Sequence, residues 1–300
     1  MSAVAPIALK LQVGARTLAT IRRRLQRVPL GLDAVLAGHA PALPPLESQA
    51  HGYAITSLPA DQRTAVCAAR PELIAFERQR YTRYHADLVH GFDAWFASLS
   101  GNARSTLKRK AKRLAHAQVE RFGPGDDWQA FHHDARAVAA TTYQERLLGA
   151  GLPDDAAWVR RMAEAGAAGL VRAWLLRVDG RPVAYLYCPV RDGVVLYEYV
   201  GHDPALNDLS PGAVLHFHAM RDLMDEGAFR WFDFTEGEGQ HKRQLASGGT
   251  PCVDLLLLRP DLANRATLLA LAGFDGGVKL AKRALAAPAL KRVADRIRRG

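Results

Sequence analysis

Two acidic residues lie in strongly apolar or aromatic segments, where a carboxylate can serve as a general base. Glu198 stands between Leu196 and Val200 in GVVLYEYV, and alternation along a strand places these three residues on one face. Apolar neighbours raise the pKa of a carboxyl group towards the range that a general base needs. Asp233 in RWFDFTEG, at the end of an aromatic segment, is the second candidate base. A buried, hydrogen-bonded structural carboxylate is an equal alternative for Glu198.

A helix start with accessible backbone N–H groups follows Glu198 in the sequence. In NDLSPGAVLHF, Ser210 suits the N-cap, Pro211 suits the first helical position, and Gly212 and Ala213 leave their N–H groups unobstructed. Such an end attracts anions through its N–H groups and the positive pole of the helix. Any helix can begin in this way. The position directly after the central strand of a meander favours an anion site beside an opening in the sheet.

A basic stretch between Ser100 and His116 has no acidic residue. Apolar residues recur in it at helical spacing, which predicts an amphipathic helix with basic residues over the rest of its surface. We expect this helix to present an anion-binding patch of Arg104, Lys108 and Arg109. The alternative is the solvated face of an ordinary amphipathic helix.

The segments that position these residues alternate between strand-like and helix-like patterns. A strand is predicted over Leu73–Leu88, and three antiparallel strands are predicted between Gly169 and Val200, joined by the hairpin dipeptides Asp179-Gly180 and Asp192-Gly193. The helix that starts at Ser210 is then a crossover, so the strand of Asp233 is expected to run parallel to the strand before it. Further helices are predicted over Asp126–Leu148 and Pro153–Gly166.

Both ends of the chain are basic. A helix is predicted over residues 5–27, a proline-rich linker over Gly38–Gly52, and two closing helices, the second interrupted at Pro288. We expect a basic N-terminal helix and linker, an N-terminal α/β part ending in the basic helix, a catalytic core and basic C-terminal helices. These four parts are expected at residues 1–46, 47–120, 121–260 and 261–300.

Composition narrows the class of protein. The chain of 300 residues is 49% hydrophobic, which is enough for a large core, and its net charge is +10. That charge is concentrated in the two ends and the stretch Ser100–His116, unlike the evenly basic surface of a small nucleic-acid-binding module. Three separated cysteines suit a reducing compartment. No apolar run reaches the ~18 residues of a membrane span, so we expect a cytoplasmic protein.

No metal site is expected. The paired histidines His132/His133 and His216/His218 point to different faces of their segments, so neither pair has the geometry of metal ligands.

The order and spacing of several runs between about Leu99 and Pro260 resemble the GNAT acyltransferases, in particular the BioF2-like or CelD-like branch that is related to Fem-type peptidyltransferases. These runs are STLKRKAKRL, TTYQERLLGAGL (Thr141–Leu152), RVDGRPVAYLY (Arg177–Tyr187), YEYVGHDPALNDLSPGAVL (Tyr197–Leu215), and FDF followed by HKRQLA.

The resemblance implies a mixed α/β (α+β) GNAT-like fold, with a central, mostly antiparallel sheet, splayed strands, flanking helices and basic helical termini. It also implies transfer of an acyl group from a coenzyme A thioester to an amine, with no metal. Val200 and Gly201 would contact the pantetheine in the splayed cleft. Ser210, Gly212 and Ala213 would bind the pyrophosphate.

The resemblance suggests further site residues. His241 replaces the tyrosine of the family's Tyr-Lys pair, and Lys242 keeps its place and is expected to contact the cofactor. Glu198 or Asp233 would accept the amine proton, and strand N–H groups near Val200 would stabilise the oxyanion. Tyr143, Tyr199 or His241 would stabilise the leaving thiolate. The chain lacks the Gln/Arg-x-x-Gly-x-Gly/Ala signature of ordinary GNAT enzymes.

We therefore expect an acyl-CoA-dependent N-acyltransferase whose amine acceptor belongs to the bacterial cell envelope. A long-chain base, as in ceramide-type synthesis, is favoured over an amino sugar. The basic ends would rest on the anionic inner face of the membrane, and nucleic acid is not an expected partner. One alternative is Fem-like transfer from aminoacyl-tRNA, and another is a non-catalytic, membrane-peripheral GNAT scaffold.

Overall fold

The structure is a computed structural model, and it describes residues 4–13, 16–142 and 151–286. These ranges contain eleven strands, nine α-helices and two 3₁₀ helices, at Ala60–Gln62 and Pro204–Leu209. In chain order the strands and α-helices are β1 (Val4–Val13), β2 (Arg16–Pro29), α1 (Leu32–Ala37), β3 (Gly52–Pro59), α2 (Arg63–Ala68), β4 (Ile74–Asp87), α3 (Gly91–Ser98), α4 (Gly101–Arg113), β5 (Gln118–Phe122), α5 (Trp128–Ala139), α6 (Ala156–Ala167), β6 (Val171–Val178), β7 (Arg181–Arg191), β8 (Val194–Leu196), β9 (Tyr199–His202), α7 (Pro211–Glu226), β10 (Trp231–Asp233), α8 (Gln240–Leu245), β11 (Gly248–Leu258) and α9 (Leu262–Ala286).

The chain divides into two compact units, one of residues 1–80 and 252–300 and the other of residues 81–251. In the first unit β1 pairs antiparallel with β2, β2 pairs parallel with β3, and β3 pairs antiparallel with β11. Helix α9 packs on this sheet in one apolar core, because Leu268 and Leu271 cluster with Leu9, Leu25 and Leu258.

The helix predicted over residues 5–27 is wrong, because this segment forms β1 and β2. Ile7, Leu9 and Leu11 alternate along β1, so one face of the strand contributes all three to the core shared with α9. A single helix would also have carried Gly14 in its interior, at a cost of about 1 kcal/mol relative to alanine. The basic N-terminal segment therefore forms the strand pair β1 and β2 in place of a helix.

The two predicted closing helices are one helix over the described residues, because α9 continues through Gly276 and Gly277. The ion pair between Arg78 and Asp275, at 2.6 Å, fixes the helix directly before these glycines. Tertiary contacts of this kind outweigh the low helix propensity of glycine. The predicted interruption at Pro288 lies outside the described residues.

The second unit contains the predicted antiparallel meander. Its strand order is β4–β10–β8–β7–β6–β5, and β9 pairs with β7. The predicted turns at Asp179-Gly180 and Asp192-Gly193 are confirmed, and all four residues have positive φ, between 50° and 76°. A two-residue hairpin turn of the primed type needs this conformation, which glycine and aspartate tolerate.

The crossover is also confirmed. Helix α7 leads from the meander to β10, which pairs parallel with β8 and antiparallel with β4. The predicted mixed α/β fold, with a mostly antiparallel sheet and flanking helices, is therefore confirmed for these residues.

The third strand of the meander divides into β8 and β9, and this division opens the sheet. Tyr187 pairs with Tyr199 and Val190 pairs with Val195, so three steps along β7 match four steps along its partner. One extra residue is thus inserted between β8 and β9, as in a β-bulge. Strand β8 pairs with both β7 and β10, whereas β9 pairs, among the described strands, with β7 alone.

Three helices of the second unit begin at side-chain caps. Ser100 accepts a hydrogen bond from the Ala103 N–H at the start of α4, and Asp127 and Asp155 cap α5 and α6 in the same way. Helix α5 ends at Ala139, and part of the longer helix predicted there lies outside the described residues. Over residues 4–13, 16–142 and 151–286, none of the helices combines the length and apolar character needed to cross a bilayer.

Candidate functional site

A cavity of about 670 Å³ lies within the second unit. Ligand pockets for small molecules commonly have volumes of about 300–1,000 Å³. Its wall is formed by α4, β9, the 3₁₀ helix Pro204–Leu209, the start of α7, and α8. The cavity therefore lies where β9 has left the β8–β10 side of the sheet.

Strand β9 presents its unpaired edge to this opening. The Asp203 N–H donates to the Val183 carbonyl at 2.8 Å, and Gly201 lies opposite Tyr185. Hydrogen-bonded pairs alternate along an antiparallel ladder, so the backbone groups of Val200 and His202 point away from β7. Both residues line the cavity. The wall thus offers the strand N–H groups that the sequence analysis assigned to oxyanion stabilisation.

Gly201 allows β9 to lie close to neighbouring side chains. A Cβ atom at this position would lie 2.4 Å from Cε1 of Tyr185 and 3.1 Å from Cγ2 of Thr142. Tyr185 is fully buried and cannot move aside easily. The glycine is therefore required by packing, and it also lines the cavity as predicted for a pantetheine contact.

The predicted helix start faces the same cavity. Ser210, Gly212 and Ala213 all contribute to its wall. Ser210 has a left-handed backbone and makes no side-chain cap bond, and its carbonyl accepts a hydrogen bond from the Ala213 N–H at 3.0 Å. Pro211 has no N–H. Of the three residues predicted to bind phosphate, two therefore already have internal partners for their N–H groups, because Ser210 donates to the Asn207 carbonyl at 3.0 Å and Ala213 donates to that of Ser210.

A cluster of one tyrosine and two histidines forms another part of the wall: Tyr197, His216 and His241. The Tyr197 hydroxyl lies 3.3 Å from Nε2 of His241, and the rings of Tyr197 and His216 have centroids 4.8 Å apart. Of these three residues, only His241 is predicted from the sequence.

Burial controls the protonation of the cluster. Desolvation, and then the charge of Lys242, lower the pKa of His241, although part of the residue is exposed. Desolvation and the neighbouring His241 lower the pKa of the fully buried His216 to about 3, although a hydrogen bond with the Gly212 backbone acts in the opposite direction and raises it. Burial raises the pKa of Tyr197. At neutral pH the cluster is therefore two neutral imidazoles and a neutral phenol, a set that can accept and donate protons.

The basic helix contributes Lys110 to the wall, together with Ala103, Thr106 and Leu107. The three predicted patch residues lie elsewhere. Arg104 donates to the carbonyls of Ala97 and Leu99, Lys108 lies over the ring of Phe96, and Arg109 is exposed. Lys110 is three residues after Leu107 and seven after Ala103, so helical spacing would have identified it as the basic residue on the buried face.

Glu198 and Tyr199 lie outside the cavity wall formed by the described residues. Because of the extra residue between β8 and β9, alternation does not carry through Tyr197 to Val200, and Glu198 is exposed between the two strands. Partial desolvation raises the pKa of Glu198, and Arg191 opposes this. The Tyr199 ring packs against Trp158 on the other side of the sheet.

Asp233 also lies outside the wall, in a buried ion pair. Its Oδ2 is 2.5 Å from Nη2 of Arg83, its Oδ1 accepts from Nε of Arg83 at 3.2 Å, and Oδ1 also accepts from the Thr235 N–H at 2.8 Å. The carboxylate is fully buried, so no proton-accepting oxygen faces a substrate. Its role in this structure is to hold Arg83 and the turn after β10.

Lys242 is mostly buried beside the cavity. Its Nζ donates to the Glu236 carbonyl at 2.6 Å and lies 6.0 Å from the ring centroid of Tyr197. Desolvation lowers the pKa of Lys242. The residue thus acts on the cluster through its charge. Tyr143 lies outside the described residues.

Comparisons with known proteins identify the second unit. Residues 101–243 match the family model described as "Acetyltransferase (GNAT) domain". No curated protein sequence matches the chain significantly.

Solved structures show the same fold at low identity. The C-terminal domain (DUF2156) of a protein described as a lysylphosphatidylglycerol synthetase from Agrobacterium fabrum is 14% identical, with 74% of this chain and 72% of that chain covered and a TM-score of 0.52. FemX is 11% identical, with 85% of this chain and 88% of that chain covered and a TM-score of 0.52. Residues 101–243 of this chain therefore form a GNAT domain, and the two solved structures share its fold.

Proposed function

We propose that the protein is an acyl-CoA-dependent N-acyltransferase. One observation carries this proposal: the unpaired edge of β9, the start of α7 and the neutral ring of His241 all face one cavity. Amide formation from a thioester needs backbone donors for the oxyanion, a site for the donor's phosphates and a proton acceptor. The edge of β9 offers the backbone donors, the start of α7 offers the phosphate site, and His241 offers the proton acceptor.

His241 is proposed as the general base in place of Glu198 and Asp233. A neutral amine attacks the thioester carbonyl, and the new C–N bond gives a tetrahedral oxyanion that the Val200 N–H stabilises. The ammonium formed loses one proton to Nε2 of His241. The C–S bond then breaks, and the Tyr197 hydroxyl donates its proton to the departing thiolate and regains one from His241. An amide and free CoA thiol result.

Lys110 and the Gly212 N–H are proposed to bind the phosphates of CoA. Lys110 is the lysine of α4 that lines the cavity, and Gly212 lies at the positive end of α7. An ammonium group and a helix start are both favourable for an anion.

The acceptor is proposed to be an amine of the bacterial cell envelope. Apolar side chains of Ala103, Leu107, Val200 and Leu245 in the wall suit a long-chain base better than an amino sugar. Contact with the anionic inner face of the membrane belongs to the same proposal, and the exposed basic residues of β1 and β2 support it: Lys10, Arg16, Arg22, Arg24 and Arg27.

Release of free thiol by the purified full-length chain tests the proposal. CoA thioesters with acyl chains of C2 to C18 are each combined with a panel of amines that includes sphinganine and amino sugars. We expect thiol release that depends on both substrates and is greatest with long acyl chains and sphinganine. Turnover with aminoacyl-tRNA and none with thioesters would replace this function with Fem-like transfer. No turnover with any donor would favour a non-catalytic scaffold.

A further inference from the structure

His216 carries a buried polar atom that has no hydrogen-bond partner among the described residues. The residue is 3% exposed, and its Nε2 makes no hydrogen bond with any described residue. A buried polar atom without a partner costs about 1–3 kcal/mol, so folded proteins rarely retain one without a reason.

The surroundings of this ring explain why it has no partner. The ring makes one hydrogen bond, with the backbone of Gly212, one helical turn earlier on α7. Four rings lie near it, with centroid distances of 4.8 Å for Tyr197, 6.1 Å for Phe232 and 6.4 Å for both Phe234 and His241. The Tyr197 hydroxyl is already directed to His241. His216 itself lines the cavity, so its ring borders the space that a bound ligand would occupy.

The protonation state of His216 limits what that ligand can be. Because desolvation holds its pKa at about 3, the ring is neutral at physiological pH. When one ring nitrogen carries the proton for the Gly212 carbonyl, Nε2 is an acceptor only. A carboxylate or phosphate would therefore meet a lone pair there, whereas a neutral N–H or O–H group would form a hydrogen bond.

We propose that His216 is the specificity-determining contact for the amine acceptor, whose neutral N–H group donates to Nε2. This inference rests on the proposed N-acyltransferase function. The amine donates one N–H to His216, its lone pair faces the thioester carbonyl, and its second proton is left for His241. Anionic parts of the substrates lie instead towards Lys110 and Gly212. The site thus selects a hydrogen-bond-donating head group and excludes an acidic one.

The test compares His216→Leu and His216→Gln with the wild-type chain. The leucine variant removes the unsatisfied atom, so we expect a higher Tm. It also removes the hydrogen-bond acceptor, so we expect the KM for the amine to rise about tenfold. A tenfold change corresponds to about 1.4 kcal/mol, which is the contribution of one hydrogen bond. The KM for acyl-CoA should change less than about twofold. The glutamine side chain places an amide near the position of Nε2 and should recover most of the affinity for the amine.

A matched control comes from His85, a second buried histidine with an unpartnered ring nitrogen, which lies outside the cavity wall. His85→Leu should leave both KM values unchanged. If His216→Leu raises the Tm but leaves the amine KM unchanged, the unsatisfied atom has no role in recognition and the inference fails.

Failure of the two proposals can be distinguished. If the wild-type chain shows no thiol release, the proposed function fails, and the thermal shift caused by sphinganine is then compared in wild type and both variants. Equal shifts in the three proteins overturn the role of His216. A shift lost in His216→Leu and recovered in His216→Gln supports amine recognition without catalysis. If the leucine variant does not fold, His216→Asn takes its place in the comparison with His216→Gln. An amine KM raised equally in the glutamine and asparagine variants would then overturn the role of His216.

Discussion

The Tyr197 hydroxyl lies 3.3 Å from Nε2 of His241, and both side chains line the cavity that opens beside β9. Tyr197 comes from the junction of β8 and β9, and His241 comes from the first turn of α8. A phenol and an imidazole in this relationship can exchange a proton during one catalytic cycle.

Removal of either member of this pair should lower turnover. We expect His241→Gln to reduce kcat by about 10²–10⁴-fold, the usual contribution of a general base, and Tyr197→Phe to reduce it by a smaller factor while its ring packing is kept. His133→Gln, on the exposed side of α5, is the matched control. The measurement is steady-state thiol release. A His241→Gln variant with wild-type kcat would exclude His241 as the base.

The acid limb of the pH profile should lie below the ordinary histidine pKa of 6.5, because desolvation and Lys242 lower the pKa of His241. Activity requires the neutral ring, so it is lost as the pH falls through this pKa. Lys242→Met removes the neighbouring positive charge, and we expect the limb to move to higher pH. The measurement is kcat/KM between pH 4 and 9, with Lys112→Met as the control. A limb that moves to lower pH would contradict this electrostatic coupling.

Lys110 should act on the phosphate end of the donor alone. Lys110→Gln is expected to raise the KM for acyl-CoA about tenfold, and less at high salt, because a charge-assisted hydrogen bond is lost. The KM for the corresponding acyl-pantetheine, which lacks the nucleotide phosphates, should not change. Arg109→Gln provides a control on the exposed side of the same helix. Equal effects on both donors would show that Lys110 does not contact phosphate.

The Arg83–Asp233 pair should be structural. Asp233→Asn is expected to lower the free energy of unfolding by about 3–5 kcal/mol, because the buried guanidinium of Arg83 loses its counter-charge. The double variant Arg83→Met, Asp233→Leu should recover part of that loss. Glu72→Gln, in an exposed pair with Arg70, should cost less than about 1 kcal/mol. Denaturant unfolding measures all three, and a fully stable but inactive Asp233→Asn would return Asp233 to the catalytic candidates.

Gly201→Ala should destabilise the second unit by about 1–3 kcal/mol, because the added Cβ meets the buried Tyr185 ring at 2.4 Å. Gly273→Ala is the matched control, since α9 leaves open space at that position and alanine favours the helix. Thermal unfolding of both variants checks the expectation. Equal Tm values for Gly201→Ala and wild type would mean that β9 can shift away from Tyr185.

Local signals allowed much of the second unit to be predicted. Aspartate-glycine pairs specify hairpin turns within two residues, and Ser210-Pro211 marks the start of a helix, so the meander and the crossover follow from short segments of sequence. The cavity residue Gly212 was selected for the same reason, whereas Val200 was selected through the resemblance to the GNAT acyltransferases. The N-terminal strands were missed, because apolar residues four positions apart, such as Ile7 and Leu11 or Ile21 and Leu25, fit one face of a helix as well as one face of a strand.

The remaining parts of the site depend on contacts that short segments do not encode. The one-residue shift between β8 and β9 reverses which side chains face the opening, so alternation selected Glu198 where the structure presents Tyr197. The partner of Asp233 is 150 residues away, at Arg83. A local pattern therefore suggested a free base where folding produces an ion pair.

The first unit takes β1 to β3 from the beginning of the chain and α9 from its end. During synthesis, β3 is complete at Pro59 but its partner β11 begins only at Gly248, whereas the contiguous second unit can fold in the meantime. Unpaired strand edges invite association between nascent polypeptides. Because β1 and β3 already cover both sides of β2, the edge of β3 is the one that stays open until β11 emerges.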